Sequence, residues 1–168
     1  MFEIKIKEEL DKLTPRNNVI KKLDKIPIKS GLYLEFISKY KSEELSPDIH
    51  LLDYEKVLNK NSYIKKNYSQ LSEIFWLIAD SGQGDEWFLS LKDNKVFFYD
   101  HNKGEYIEEG FIEMNLSFED FFKLGLIVNK LENYLIEEVD EDIVKKPFIN
   151  TLNNISPNLY NKYPYKYF

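Results

Sequence analysis

Residues 73–100 constrain the fold more than any other stretch. Ile74–Ala79 is a short, continuously apolar run of bulky side chains, which suits a strand buried on both faces. Ser81-Gly82-Gln83-Gly84 follows, and its glycines allow backbone angles that other residues resist. Trp87, Leu89 and Leu91 then alternate with Glu86, Phe88 and Ser90, the pattern of a half-buried strand. Lys92-Asp93-Asn94-Lys95 is a polar turn of hairpin length, and Val96–Tyr99 is a third strand of β-branched and aromatic residues. The spacing predicts an antiparallel meander holding both tryptophans, Trp76 and Trp87. A meander cannot cover its own apolar faces, so the flanking segments must supply helices.

The flanks offer them. Residues 2–13 read two ways: Phe2, Ile4 and Ile6 alternate like a strand, while Ile6, Leu10 and Leu13 have helical spacing, which favours a helix from about Lys7. Thr14-Pro15 reads as a helix start, with Val19, Ile20 and Leu23 on one face. Pro27 interrupts. Ser30 then caps a helix whose stripe is Tyr33, Phe36, Ile37 and Tyr40. Ile49-His50-Leu51-Leu52 reads as a short strand, the first candidate of the sheet. Asp53 caps a helix over Tyr54–Asn59, and residues 59–67 read as a polar surface connection. After a turn at residues 101–105, Gly110–Met114 is a further edge strand. Ser117 with Asp120 three residues on is a helix start, and Leu116 and Phe121 are placed as its hydrophobic staple. The apolar face then runs from Phe118 to Leu135, with Gly125 inside it as a site of close backbone packing. The aromatic segment 145–168 is too apolar for a free tail and should pack back onto the domain or a partner.

The whole predicts one α+β domain over residues 1–168: a core of about 15–140 and a C-terminal aromatic extension at 145–168. Its antiparallel sheet has about four to six strands, with helices packed mainly on one face. The absence of cysteine excludes disulfides, thiolate metal sites and a cysteine nucleophile, and fits a reducing compartment. No leader-like apolar run follows Met1 and no run is long enough to span a membrane, so a cytoplasmic location is expected.

Charge is uneven. Residues 1–66 hold 14 Lys+Arg against 11 Asp+Glu, whereas residues 67–168 hold 9 against 18. An acidic half disfavours nucleic acid and favours a basic protein partner. Solubility alone is the plainer explanation of the same imbalance.

Ordered motifs add a resemblance. Ile26-Pro27 followed by Tyr33-Leu34-Glu35-Phe36-Ile37 is the first. Gly82-Gln83-Gly84-Asp85 leading into Trp87–Leu91, then Val96–Asp100, is the second. Ser117-Phe-Glu-Asp-Phe-Phe122 is the third. Together, over roughly residues 15–125, they resemble the SUKH superfamily of bacterial toxin-immunity proteins and a fungal cell-wall regulator. The superfamily's Asn-Gly-Gly after the N-terminal helix is replaced here by Lys39-Tyr40-Lys41-Ser42. The resemblance implies an immunity protein that neutralises a cognate toxin by stoichiometric binding, without catalysis. Its alternative is a regulatory adaptor of the same fold.

The residues carry no enzyme signature. Gly82-Gln83-Gly84 lacks the third glycine of a dinucleotide loop, and that position is Trp87. There is no P-loop and no nucleophile elbow. Asp80, Gly82 and Gly84 fail the calcium-loop pattern. His50 and His101 are the only histidines; beside Asp85 or Asp100, His101 has the makings of a base, though a histidine in a surface turn is commoner. No catalytic residue, cofactor or metal site is therefore expected. Partner contact is assigned to Asp80, Asp85, Glu86 and Trp87 around the glycine loop, with Glu137, Glu138, Asp140, Glu141 and Asp142 steering approach. The partner implied is a toxin protein with a basic, nuclease-type working surface. The plainer roles are turn formation for Asp80 and Asp85 and core packing for the tryptophans.

Overall fold

A computed structural model describes residues 1–168. The elements in chain order are α1 (Ile6–Leu10), α2 (Gly31–Lys39), β1 (Glu43–Ser46), β2 (Ile49–Leu51), α3 (Tyr54–Asn67), α4 (Ser69–Ser72), β3 (Phe75–Asp80), β4 (Glu86–Ser90), β5 (Val96–Tyr99), β6 (Phe111–Glu113), α5 (Phe118–Ile136), α6 (Glu141–Ile155) and α7 (Leu159–Lys162). The six strands form one sheet in sequence order, every neighbour antiparallel. The predicted meander is β3–β4–β5, and the predicted edge strand is β6. The turns obey their residues: Gly84 at φ 92° and Asn94 at φ 57° supply the left-handed angles. No helix is long and apolar enough to cross a membrane.

Register sorts the sheet into two faces. Trp76, Ala79, Trp87, Leu89, Val96 and Phe98 share one; Phe75, Leu77, Phe88, Phe97, Tyr99 and Phe111 share the other. The first lies under α2 and α5. Trp76 Nε1 donates to the buried Tyr33 hydroxyl of α2 at 2.9 Å, and Trp87 packs on Phe121 of α5 with ring centroids 5.0 Å apart. The second face carries an aromatic layer. Phe111 stacks on Phe75 at 4.2 Å, and Tyr106 and Tyr68 close over it, 5.0 Å apart. β4 is thus buried on both faces, and the half-buried reading of Phe88 and Ser90 is corrected: aromatic neighbours replace solvent there.

Gly125 has the role expected of it. A Cβ there would stand 2.8 Å from Leu45 Cβ, so α5 rides directly on β1. Ser117 and Asp120 form the full capping box of α5.

Four expectations fail, each for a physical reason. Thr14-Pro15 starts no helix: Pro15 bridges to Tyr40, and the Arg16 and Lys41 amides donate to Lys39 and Thr14 carbonyls, so tertiary pairing takes the segment extended. Residues 59–67 are not a connection but the rest of α3, whose buried positions are Val57, Asn61 and Ile64. β2 is not the first strand; β1, unforeseen, precedes it and bulges between Glu44 and Ser46. Residues 141–155, read as the end of the acidic run and the start of the aromatic extension, form α6 with Pro147 inside it.

Asn61 explains its own burial. β2 stops short, leaving the Leu77 amide and carbonyl on the free side of β3. The Asn61 carboxamide takes both, accepting from Leu77 N at 2.9 Å and donating to Leu77 O at 2.9 Å. A side chain of α3 thereby stands in for the missing strand residue.

Candidate functional site

The acids of the glycine loop gather at one end of the sheet, where four short segments meet: the Pro47-Asp48 turn between β1 and β2, the Ser81–Asp85 loop, the turn at His101, and the C-terminal Tyr163–Tyr167. The loop is held locally. Ser81 Oγ accepts from the amides of Gln83 and Asp85, and the Gly82 amide donates to Pro47 O at 2.9 Å. A Cβ on Gly82 would stand 3.3 Å from Pro47 O, so the two turns meet backbone to backbone. Gly82 also faces His50 and Gly84 faces His101, which places the loop between the two histidines.

Two buried carboxylates anchor the tail. Asp48, 5% exposed, accepts from the Tyr163 hydroxyl at 2.6 Å and the Tyr167 hydroxyl at 2.9 Å, while its backbone carbonyl accepts from Trp87 Nε1 at 2.9 Å. Asp85, also 5% exposed, accepts from the Tyr165 hydroxyl at 2.6 Å and from the His101 amide at 3.0 Å, and lies 2.7 Å from His101 Nδ1. Their environments push them apart. Burial raises Asp48 above the usual carboxylate range, opposed only in part by its tyrosine donors. Burial raises Asp85 as well, but the hydrogen bonds from Tyr165 and His101 outweigh it and hold that carboxyl below its usual range.

The outer acids sit differently. Asp80 pairs with Lys60 Nζ at 3.5 Å and lies 3.5 Å from His50 Nδ1. Glu86 stands opposite Asp80 in register and accepts from the Tyr106 hydroxyl at 2.6 Å. Burial pushes Glu86 up in pKa. Glu137, Glu138, Asp140, Glu141 and Asp142 are all exposed at the α5–α6 junction, and Asp140 caps α6. Trp87 is a correction. It is fully buried among Phe98, Phe121 and Tyr163, so it is a core side chain and cannot anchor a partner. Asp85 is likewise spent on internal bonds and presents no carboxylate to a ligand. Of the assigned contacts, Asp80, Glu86 and the 137–142 run remain at the surface, the first two only in part.

Chemically, Asp85 and His101 form an oriented carboxylate–imidazole pair, and donor atoms of Asp85, Asp100 and His101 lie within 4.8 Å of one another. The pair's bonds are already closed. Asp85 Oδ1 faces the backbone amide and Nδ1 of His101 and Asp85 Oδ2 is taken by Tyr165, so a cation would have to displace existing partners. His101 bonds no hydroxyl that it could activate. His50 and His101 pair with different aspartates, Asp80 and Asp85. A cavity of about 560 Å³ lies elsewhere, beside Trp76, Leu58 and Lys65.

Sequence reasoning missed Asp48, Tyr163, Tyr165 and Tyr167 as members of this site. The signal available was the tyrosine density of the C-terminus. Comparisons with protein-family models, with curated proteins and with solved structures find no match.

Proposed function

We propose that the chain is an immunity-type binding protein, which neutralises a toxin by stoichiometric contact with the toxin's basic working surface. The observation that carries this reading is the Glu137–Asp142 run. Its five carboxylates are exposed, and none is engaged in the ion pairs of the chain. Unneutralised charge of one sign raises encounter rates with an oppositely charged protein. The order of the motifs gives further support: residues 26–40 span α2, residues 82–100 span the β4–β5 hairpin, and residues 116–122 open α5.

Binding kinetics test the proposal. Charge reversal of Glu137, Glu138 and Asp140 to Lys should slow association with the cognate toxin, and salt should mask the effect within a screening length of about 10 Å at 0.1 M. Unchanged association in a folded variant would remove the acidic run from the mechanism.

A further inference from the structure

We propose that the outer edge of β6 is a docking site for an extended, basic segment of a partner protein, which adds to the sheet as a seventh strand. The inference rests on the basic-partner reading above and assigns that partner a surface. β6 is the last strand of an open sheet. The Met114 amide donates to Val96 O. Two-residue alternation then turns the Ile112 backbone toward Phe98 of β5, and turns the Phe111 carbonyl and the amide and carbonyl of Glu113 outward; the Phe111 amide is taken by Glu108 O. The opposite edge is not equivalent: β1 bulges, and the chain beside it is engaged by the Thr14–Arg16 segment. Natural edges are blunted by charge or shortness, and β6 is short. Yet its central residue, Ile112, is a large apolar side chain left in the open, 46% exposed.

Charge chooses the occupant. Glu105, Glu108, Glu109 and Glu113 are exposed, and none of them is in an ion pair. Lys103 is the only cation between residues 100 and 115, and Lys162 approaches through the Asn115 carboxamide that bridges it to Glu113. A second copy of this chain pairing edge to edge would set glutamates against glutamates. A strand alternating lysine with an aliphatic residue meets the carboxylates with one set of side chains and Ile112 with the other, while its backbone takes the Phe111 carbonyl and the amide and carbonyl of Glu113.

The test uses the full ¹⁵N-labelled chain at low salt and two peptides of equal charge: an eight-residue alternation of lysine and valine, and the same peptide with proline for every valine. The lysine–valine peptide should shift the amides of residues 107–113 and slow hydrogen exchange at Glu113. The proline peptide, which has lost half its backbone donors, should bind at least about tenfold more weakly, and so should the lysine–valine peptide to a folded E109K/E113K variant. Equal affinity of the two peptides, or no loss in the variant, would overturn the proposal. A footprint on residues 137–142 alone would also overturn it while leaving the basic-partner reading standing; no binding anywhere would count against both.

Discussion

Replacing Asp85 by Ala should destabilise the fold by about 3 kcal/mol at pH 7. The side chain is 6% exposed and accepts from the Tyr165 hydroxyl and the His101 amide, with His101 Nδ1 2.7 Å away. Hydrogen bonds to a charged group contribute roughly 1.5–3 kcal/mol each, and a donor left buried costs about 1–3 kcal/mol. His101 is 44% exposed on its side chain, so water can replace its ring partner, and the loss reduces to the tyrosine and the amide. Two such bonds sum to about 3–6 kcal/mol, and because Tyr165 is itself only half-buried the loss falls at the lower end, about 3 kcal/mol. The pH dependence has a fixed sign. The folded carboxyl is held below its unfolded pKa, so its contribution is fully present above the ordinary aspartate range and is lost as pH falls through the folded value. The parent–variant gap should therefore be widest near pH 7 and narrow toward pH 3. Urea unfolding at both pH values, with slopes checked for equality, measures it. A gap under about 1 kcal/mol at pH 7, or one that widens in acid, would refute the argument.

Asp48 should behave oppositely. Its carboxyl is raised in the fold, so stability falls as pH climbs from its unfolded to its folded pKa; Asp48→Asn keeps an acceptor for Tyr163 and Tyr167 and should flatten the profile above the ordinary aspartate range. Urea titrations of that variant check it. Asn61→Leu strands the amide and carbonyl of Leu77 and should cost about 2–5 kcal/mol, read by chemical unfolding and by faster hydrogen exchange at Leu77. Gly125→Ala gains about 1 kcal/mol of helix propensity but drives a methyl to 2.8 Å from Leu45 Cβ; overpacking of about 1–3 kcal/mol should win and lower Tm by about 3 °C in calorimetry.

The meander was legible because its apolar runs, glycine loop and polar turn are local signals, and local signals decide β3, β4 and β5. The α5 start was legible for the same reason: Ser117, Asp120 and Phe121 lie within five residues. What failed was non-local. Thr14-Pro15 has helix-start chemistry, but its neighbours pair with residues 39–41, which no window on the sequence reveals. The second half of α3 was hidden by Asn61, a polar residue on the buried face that makes sense only once β3 lies beside it. The candidate site was half legible. The glycine loop and its acids were correctly placed together, but the hydroxyls that bind Asp48 and Asp85 come from about 80–120 residues further along the chain. Trp87 was misread because flanking acids suggest a surface, whereas its own ring closes the core under α5.

The most direct measurement is protection in trans. The products of the neighbouring genes would be screened for toxicity in a sensitive bacterium with and without the chain, and any toxic product then titrated with the chain by calorimetry. Growth should be restored, a complex of fixed stoichiometry should form, and toxin activity should fall in proportion to chain added until equivalence. No protection and no complex, or full inhibition at a small fraction of an equivalent, would contradict the immunity proposal.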